Sequence, residues 1–211
     1  MKRQFVPERR EFFKVTSIAG AGFLLGFHLP WGGRLQAFAQ DRQTAFAPNA
    51  WLRINRDGTI AVTVAKSEMG QGVRTALPMI LAEELDADWS NVKVEPALAD
   101  KKYGDMGTGG STSIRTSWEV LRTAGATARA MLVSAAAKRW GVPEPSCRTE
   151  KSSVIHVPTG RTLVYGELAA EAAKLLVPAK VALKDPKDFR IVGKRMPRVD
   201  TPASCTISSS S

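Results

Sequence analysis

Between Trp51 and Glu95 the spacing of apolar residues changes period twice, and the changes outline a first structural unit. Trp51-Leu52-Arg53-Ile54 and Thr59-Ile60-Ala61-Val62-Thr63-Val64 alternate or run apolar, as strands do. Asn55-Arg56-Asp57-Gly58 lies between them as a hairpin turn in which glycine supplies the positive φ. The period then lengthens. Leu77, Ile80, Leu81 and Leu85 fall at helical spacing and predict a helix beginning near Thr75, its expected N-cap. Pro78 is expected in the first turn, where a missing N–H costs little. Glu83 and Glu84 are expected on the solvent side. Asp88-Trp89-Ser90 closes the unit, and Val92-Lys93-Val94-Glu95 alternates as a further strand.

The longest helical pattern follows over residues 113–139, where Ile114, Trp118, Leu121, Gly125, Ala128, Leu132 and Ala135 recur every three or four positions. Its small residues predict close packing on a sheet, with Ser111, Thr112 or Ser113 as the cap. After Trp140-Gly141-Val142-Pro143, a second hairpin joins Ser153–Val157 to Arg161–Val164 through Pro158-Thr159-Gly160, and Gly166 to Leu176 reads as a short amphipathic helix. Beyond Pro178 the chain turns extended and basic, and Ser204–Ser211 has no capacity for a core. The pattern therefore predicts an α+β fold: two mixed sheet-and-helix units, with the long helix packed on the first sheet. The implied division is a leader (1–39), a first unit (40–141), a small hairpin-helix unit (142–179), an extended connector (180–203) and a tail (204–211).

Two glycine-rich stretches sit where strands feed helices. Gly70-Gln71-Gly72 lets a ligand approach the backbone, because glycine has no Cβ, and Gln71 adds an amide that donates and accepts. Gly107-Thr108-Gly109-Gly110-Ser111-Thr112-Ser113 precedes the long helix, where free amides and the helix dipole favour an anion. Without G-K-[ST] it is no P-loop, and a plain helix cap is an equal reading of it. On chemistry alone the first loop reads as an ordinary strand-to-helix turn ahead of a cofactor site, because short glycine-rich matches are common.

The amino terminus reads as a targeting segment rather than as fold. Arg9-Arg10-Glu11-Phe12-Phe13-Lys14 is a twin-arginine pattern, with Arg9, Arg10, Phe12 and Lys14 as its marks. An uncharged stretch runs from Val15 to Gly33, and Ala37-Phe38-Ala39 offers cleavage after Ala39. The apolar part ends near Pro30, short of the ~20 residues that span a bilayer. The expectation is export by the twin-arginine route to the periplasm, or to the periplasmic side of the membrane. That route carries folded proteins, which favours a cofactor inserted before export. Gly20-Ala21-Gly22 is no dinucleotide fingerprint, because no strand precedes it, and His28 in the same stretch reads as inert.

Charge and cysteine usage narrow the classes. The net charge is +10, but Lys2, Arg3, Arg9, Arg10, Lys14 and Arg34 against Glu8 and Glu11 place +4 of it in residues 1–39. The later cations are scattered among acids without interleaved aromatics, so a nucleic-acid partner is not expected. Cys147 and Cys205 are the two cysteines, with no CxxC and no Cys/His cluster, so neither zinc nor an iron–sulfur cluster is encoded and both thiols read as free. His156, alone on a strand, reads as structural.

The ordered series Glu68-Met69-Gly70-Gln71-Gly72-Val73, Ala82-Glu83-Glu84-Leu85 and Thr108-Gly109-Gly110-Ser111-Thr112-Ser113 resembles the molybdopterin-binding segment of the large subunit of the xanthine dehydrogenase/aldehyde oxidase family. The leader, Tyr165-Gly166-Glu167-Leu168, Phe189-Arg190-Ile191-Val192-Gly193-Lys194 and Arg198-Val199-Asp200-Thr201-Pro202 resemble the family's branch of isoquinoline 1-oxidoreductase beta subunits. The resemblance implies a molybdenum–molybdopterin cytosine dinucleotide cofactor and transfer of a water-derived oxygen to an N-heterocycle or an aldehyde. It also implies a partner subunit with two [2Fe–2S] clusters, with a cytochrome c as a candidate electron acceptor. Gly70, Gln71 and Gly72 become the expected pterin contacts, ranked above the second loop. Gly109, Gly110 and Ser111 would meet the cofactor's phosphates or merely cap their helix. The family's second glycine-rich cofactor loop and its base glutamate have no counterpart here, so no catalytic residue and no metal ligand is transferred. The expectation is a truncated or frame-shifted large subunit, inactive alone and lacking the C-terminal part of its own subunit. The alternative is a stand-alone exported binding or assembly module without catalysis. The substrate is not legible.

Overall fold

A computed structural model describes residues 22–26, 50–100, 103 and 106–200. The twin-arginine residues Arg9, Arg10, Phe12 and Lys14, the cleavage position Ala39, Cys205 and the tail lie outside them. Strands β2 (Ala50–Asn55) and β3 (Ile60–Val64) form the expected hairpin, with Leu52 opposite Val62 and Ile54 opposite Ile60. Both pairs are buried, as alternation requires of a half-buried sheet. β4 (Val92–Pro96) pairs parallel to β3. The other edge is β1 (Gly22–Gly26), antiparallel to β2. This short apolar run lies within the stretch read as leader; the structure uses it to cover the backbone edge of β2.

Helix α1 (Val73–Leu85) crosses over between β3 and β4, and α2 (Ser113–Trp140) packs on α1. The close approach anticipated for the small residues of α2 is made chiefly to helix α1, with lighter contact to β2 of the first sheet. At Gly125 an added Cβ would lie 2.4 Å from the Leu81 carbonyl oxygen, so only glycine lets the two helices touch there. Leu121, Gly125, Ala128, Leu132 and Ala135 are buried as expected, whereas Ile114 is exposed at the open end of the helix.

The second sheet is β5 (Cys147–Glu150), β6 (Ser153–His156) and β7 (Thr162–Val164), all antiparallel, and α3 (Tyr165–Ala172) follows. β5 has no counterpart among the predicted elements, because Cys147-Arg148-Thr149-Glu150 carries too few apolar residues to announce a strand. The predicted helix to Leu176 ends early, and Leu176 is exposed. One core crosses the division at 141/142: Val154, Tyr165, Leu168 and Ala172 join Leu52, Leu81 and Leu132. Tyr165 is fully buried and donates its hydroxyl to the Leu85 carbonyl at 2.7 Å. Burial, then the Asp86 carboxylate, pushes its phenol above the ordinary range, so it stays a neutral donor. His156 is buried, with Nδ1 2.7 Å from the Thr159 hydroxyl and its ring against Trp140, in a structural role.

Three local expectations are corrected. The N-cap of α1 is Gly72, at φ 82°, and Thr75 lies inside the helix. Pro78 is the sixth residue of α1, past the first turn, so the Arg74 carbonyl loses its i+4 donor. Glu83 and Glu84 do not face solvent: their relative exposures are 1% and 0%. Their stripe abuts α2 and the connector, which brings its own partners for their charge.

Candidate functional site

The C-terminal ends of the parallel strands β3 and β4 lead into the two glycine loops, and the helices that follow open at the same edge. Open α/β sheets present ligand sites there. The loops are tied together: the Ser67 amide donates to Thr108 Oγ1 at 2.8 Å, and Lys66 Nζ donates to the Gly107 carbonyl at 2.8 Å. Stretches 41 residues apart in the chain thus form one surface.

The first loop is closed by its own acid. Glu68 accepts through Oε1 from the amides of Gly70 and Gly72, both at 2.8 Å, and through Oε2 from Arg74 at 3.0 Å. These bonds, the Arg74 amide foremost and against some desolvation, hold its carboxyl below the ordinary carboxylate value. A carboxylate therefore occupies the place at the start of α1 where an external anion would bind. Gln71 is also committed to the loop: Nε2 donates to the Ser67 carbonyl at 2.8 Å, and Oε1 accepts from the Met69 amide at 2.6 Å. What this loop presents outward is backbone. Gly70, at φ 99°, has nothing within 4 Å of the position of a Cβ, so a flat group can lie directly on the chain.

The second loop is built differently. Thr112 stands at the N-cap of α2 but makes no side-chain cap; its hydroxyl donates to the Gly109 carbonyl at 2.9 Å. Gly109, Gly110 and Ser111 are exposed, and Ser111 takes a left-handed φ of 55°. A Cβ at Gly109 would meet nothing within 4 Å. The structure brings all six expected site residues to one edge, with Gln71 as a brace of its own turn.

Sequence reasoning missed three groups. Glu68 opens the first glycine motif and closes its turn; an acid just before a glycine turn that opens a helix is the signal for it. Arg198 reaches the loop from the connector, with Nη1 3.3 Å from the Gly70 carbonyl and Nη2 3.5 Å from Glu68 Oε1. The third group is the charge cluster at the C-terminal end of α1. Glu84 accepts from Arg122 Nε at 2.7 Å and from the Lys184 amide at 3.0 Å. Glu83 Oε2 accepts from three successive amides, Arg190, Ile191 and Val192, at 2.9, 2.6 and 2.9 Å, and Lys184 Nζ bridges Glu83 and Asp86. Burial raises the Glu83 carboxyl, but those amides and the Lys184 ammonium outweigh it, leaving a net lowering. Arg122 lies between the Trp118 and Phe189 rings, 5.4 Å from each centroid. One signal was legible, since Glu84 follows Ile80 by four and Leu81 by three, on the apolar stripe of α1.

Among the described residues, no group of three or more His, Cys, Asp or Glu side chains is placed to hold a metal ion, and no helix is long and apolar enough to cross a membrane. A family model described as a molybdopterin cofactor-binding domain matches residues 8–206. The chain is 37% identical over 198 residues to the beta subunit of isoquinoline 1-oxidoreductase of Brevundimonas diminuta, covering 75% of this chain and 25% of that protein. It is 36% identical over 212 residues to a membrane-bound aldehyde dehydrogenase (pyrroloquinoline-quinone) of Gluconacetobacter polyoxogenes, covering 96% and 27%. To a nicotinate dehydrogenase subunit of Pseudomonas putida it is 33% identical over 157 residues, covering 74% and 13%. The chain thus spans about a quarter or less of the length of these curated relatives.

Proposed function

The chain belongs to the molybdopterin cofactor-binding domain family, and from that premise we propose that it supplies a pterin-binding wall of the large subunit of an exported molybdenum hydroxylase. The carrying observation is the joining of the two glycine loops at the ends of β3 and β4 through Ser67–Thr108 and Lys66–Gly107. The residues present fit such a cofactor. The bare backbone at Gly70 and Gly109 admits a flat heterocycle, and the exposed Gly110 and Ser111 beside the start of α2 suit phosphates. Gln71 and Glu68 would orient the first loop rather than bind through their side chains. When bound, the molybdenum centre supplies oxygen transfer from water to substrate; this chain's described residues contribute binding and shape.

The dinucleotide is proposed to be the cytosine form, and the substrates N-heterocycles or aldehydes. The substrate class is supported by the relatives, whose names give isoquinoline, nicotinate and an aldehyde; the cytosine form rests on the family resemblance alone. An iron–sulfur partner subunit, a cytochrome c acceptor and twin-arginine export to the periplasmic side are proposed on the same resemblance. Alone, the chain is proposed to be inactive, since it spans so small a part of those relatives. The test is to isolate the assembled protein from its host and to measure molybdenum, pterin and released cytidine monophosphate per polypeptide, in the wild type and in Gly70→Val. Stoichiometric cofactor in the wild type and its loss in the variant are expected. A wild type that carries no pterin would refute the reading and favour a non-catalytic module.

A further inference from the structure

We infer that Arg198 is a positioning residue for the first glycine loop, holding Glu68 in the turn so that the backbone at Gly70–Gly72 keeps the shape that receives the cofactor. The inference rests on the function proposed above and concerns a residue in the stretch expected to be a mere connector. The connector is not loose. It is latched at the C-terminal end of α1, where Glu83 takes the amides of Arg190, Ile191 and Val192 and Glu84 takes that of Lys184. It then returns to the opposite end of the helix, where the Val199 amide donates to Thr75 Oγ1 at 3.2 Å. Between these ties Arg198 is delivered to the loop already oriented: its Nε and Nη2 grip the Asp200 carboxylate at 2.9 and 2.8 Å.

From there the guanidinium does two things at once. Nη1 donates to the Gly70 carbonyl, and Nη2 stands 3.5 Å from the same Glu68 oxygen that accepts from Gly70 and Gly72. Glu68 thus organises three amides from inside the turn, while Arg198 offsets its charge and fixes the carbonyl of the same turn from outside. Planar, forked arginine is suited to this, because one group must meet Asp200, Glu68 and a carbonyl together. Without it, Glu68 keeps its three amides but loses the outer partner that offsets its charge, and the Gly70 carbonyl loses its donor, so the turn is held from one side only.

The test compares Arg198→Ala, Arg198→Lys and Thr75→Val in the full chain within its native assembly. Amide hydrogen exchange over residues 68–75 reads the loop, and molybdenum and pterin retained after dialysis read the cofactor. Arg198→Ala is expected to speed exchange at Gly70, Gly72 and Arg74 about tenfold and to weaken cofactor retention about tenfold, with unchanged protection in β3 and α2. Arg198→Lys, which keeps the charge, is expected to restore part of both. Thr75→Val, which cuts the neighbouring connector tie but leaves Arg198 on Asp200, is expected to affect both clearly less than Arg198→Ala does. Wild-type exchange or retention in Arg198→Ala would overturn the inference. So would a lysine variant as poor as alanine, or a Thr75→Val effect equal to that of Arg198→Ala. A wild type without pterin would instead refute the proposed function, and the exchange measurement would then decide alone whether Arg198 holds the loop.

Discussion

At the start of α1, the Glu68 carboxylate accepts from the amides of Gly70, Gly72 and Arg74. At the start of α2, Thr112 turns its hydroxyl back to the Gly109 carbonyl and gives the helix no side-chain cap. The two loops look alike as strings of glycine and small polar residues, and they lie side by side. Their chemistry is opposite. A turn whose donors are already bound to a carboxylate offers a ligand its shape; a turn that opens a helix without a side-chain cap offers donors. Similar composition therefore does not mean similar function, because the difference is made by one acid that the second loop lacks.

The largest effect is expected from the buried charge cluster at the C-terminal end of α1. Glu84→Gln leaves the buried Arg122 guanidinium without its carboxylate, and a cost of about 3–5 kcal/mol is expected in urea unfolding, with new proteolytic cuts in residues 184–192. A fall below 1 kcal/mol would show that the cluster is not coupled to the fold. Next comes Gly125→Ala. Its Cβ collides with the Leu81 carbonyl oxygen and with Glu84 Cβ, 2.4 and 2.9 Å away. Prying α2 from α1 is expected to cost about 1–3 kcal/mol and to disturb both loops together.

Smaller changes separate the loops. Glu68→Ala removes the carboxylate that closes the first turn, and a loss of about 1 kcal/mol is expected, whereas Thr112→Ala, which removes no cap, is expected to cost at most about 0.5 kcal/mol. Equal losses would erase the contrast. Acid should reveal the same asymmetry. Glu68 has its folded-state carboxyl held below its ordinary value of 4.5. Its contribution is therefore present above pH 4.5 and is lost as pH falls through the lowered value. Amide exchange, corrected for its intrinsic pH dependence, is expected to rise in that window at Gly72 and Arg74 and to stay flat in the second loop. Glu83, also lowered, should release the connector in the same acidic range.

Much of this was legible because it is local. Alternation at Leu52, Ile54, Ile60 and Val62 marked a hairpin, Leu77, Ile80, Leu81 and Leu85 marked a helix face, and the order of the glycine motifs identified the family. Each signal lives in a few consecutive residues, where backbone period and side-chain polarity are tied by geometry. The wrong expectations concerned the partners of single groups. Glu83 and Glu84 read as solvent-facing because acids seldom lie buried unless paired, and their partners, Arg122, Lys184 and the amides at 190–192, lie from 38 to 109 residues away.

By itself the sequence determined the α+β pattern, the two loops and the family to which they belong. Only the tertiary structure decided that the loops touch, that α2 rests on α1 through Gly125, and that Glu68 rather than Gln71 governs the first turn. It also showed that the connector is a strap latched at both ends of α1. The reason is physical: chain period determines which face of an element is apolar, but a charge becomes a buried brace or a solvated end only through what the fold places opposite it.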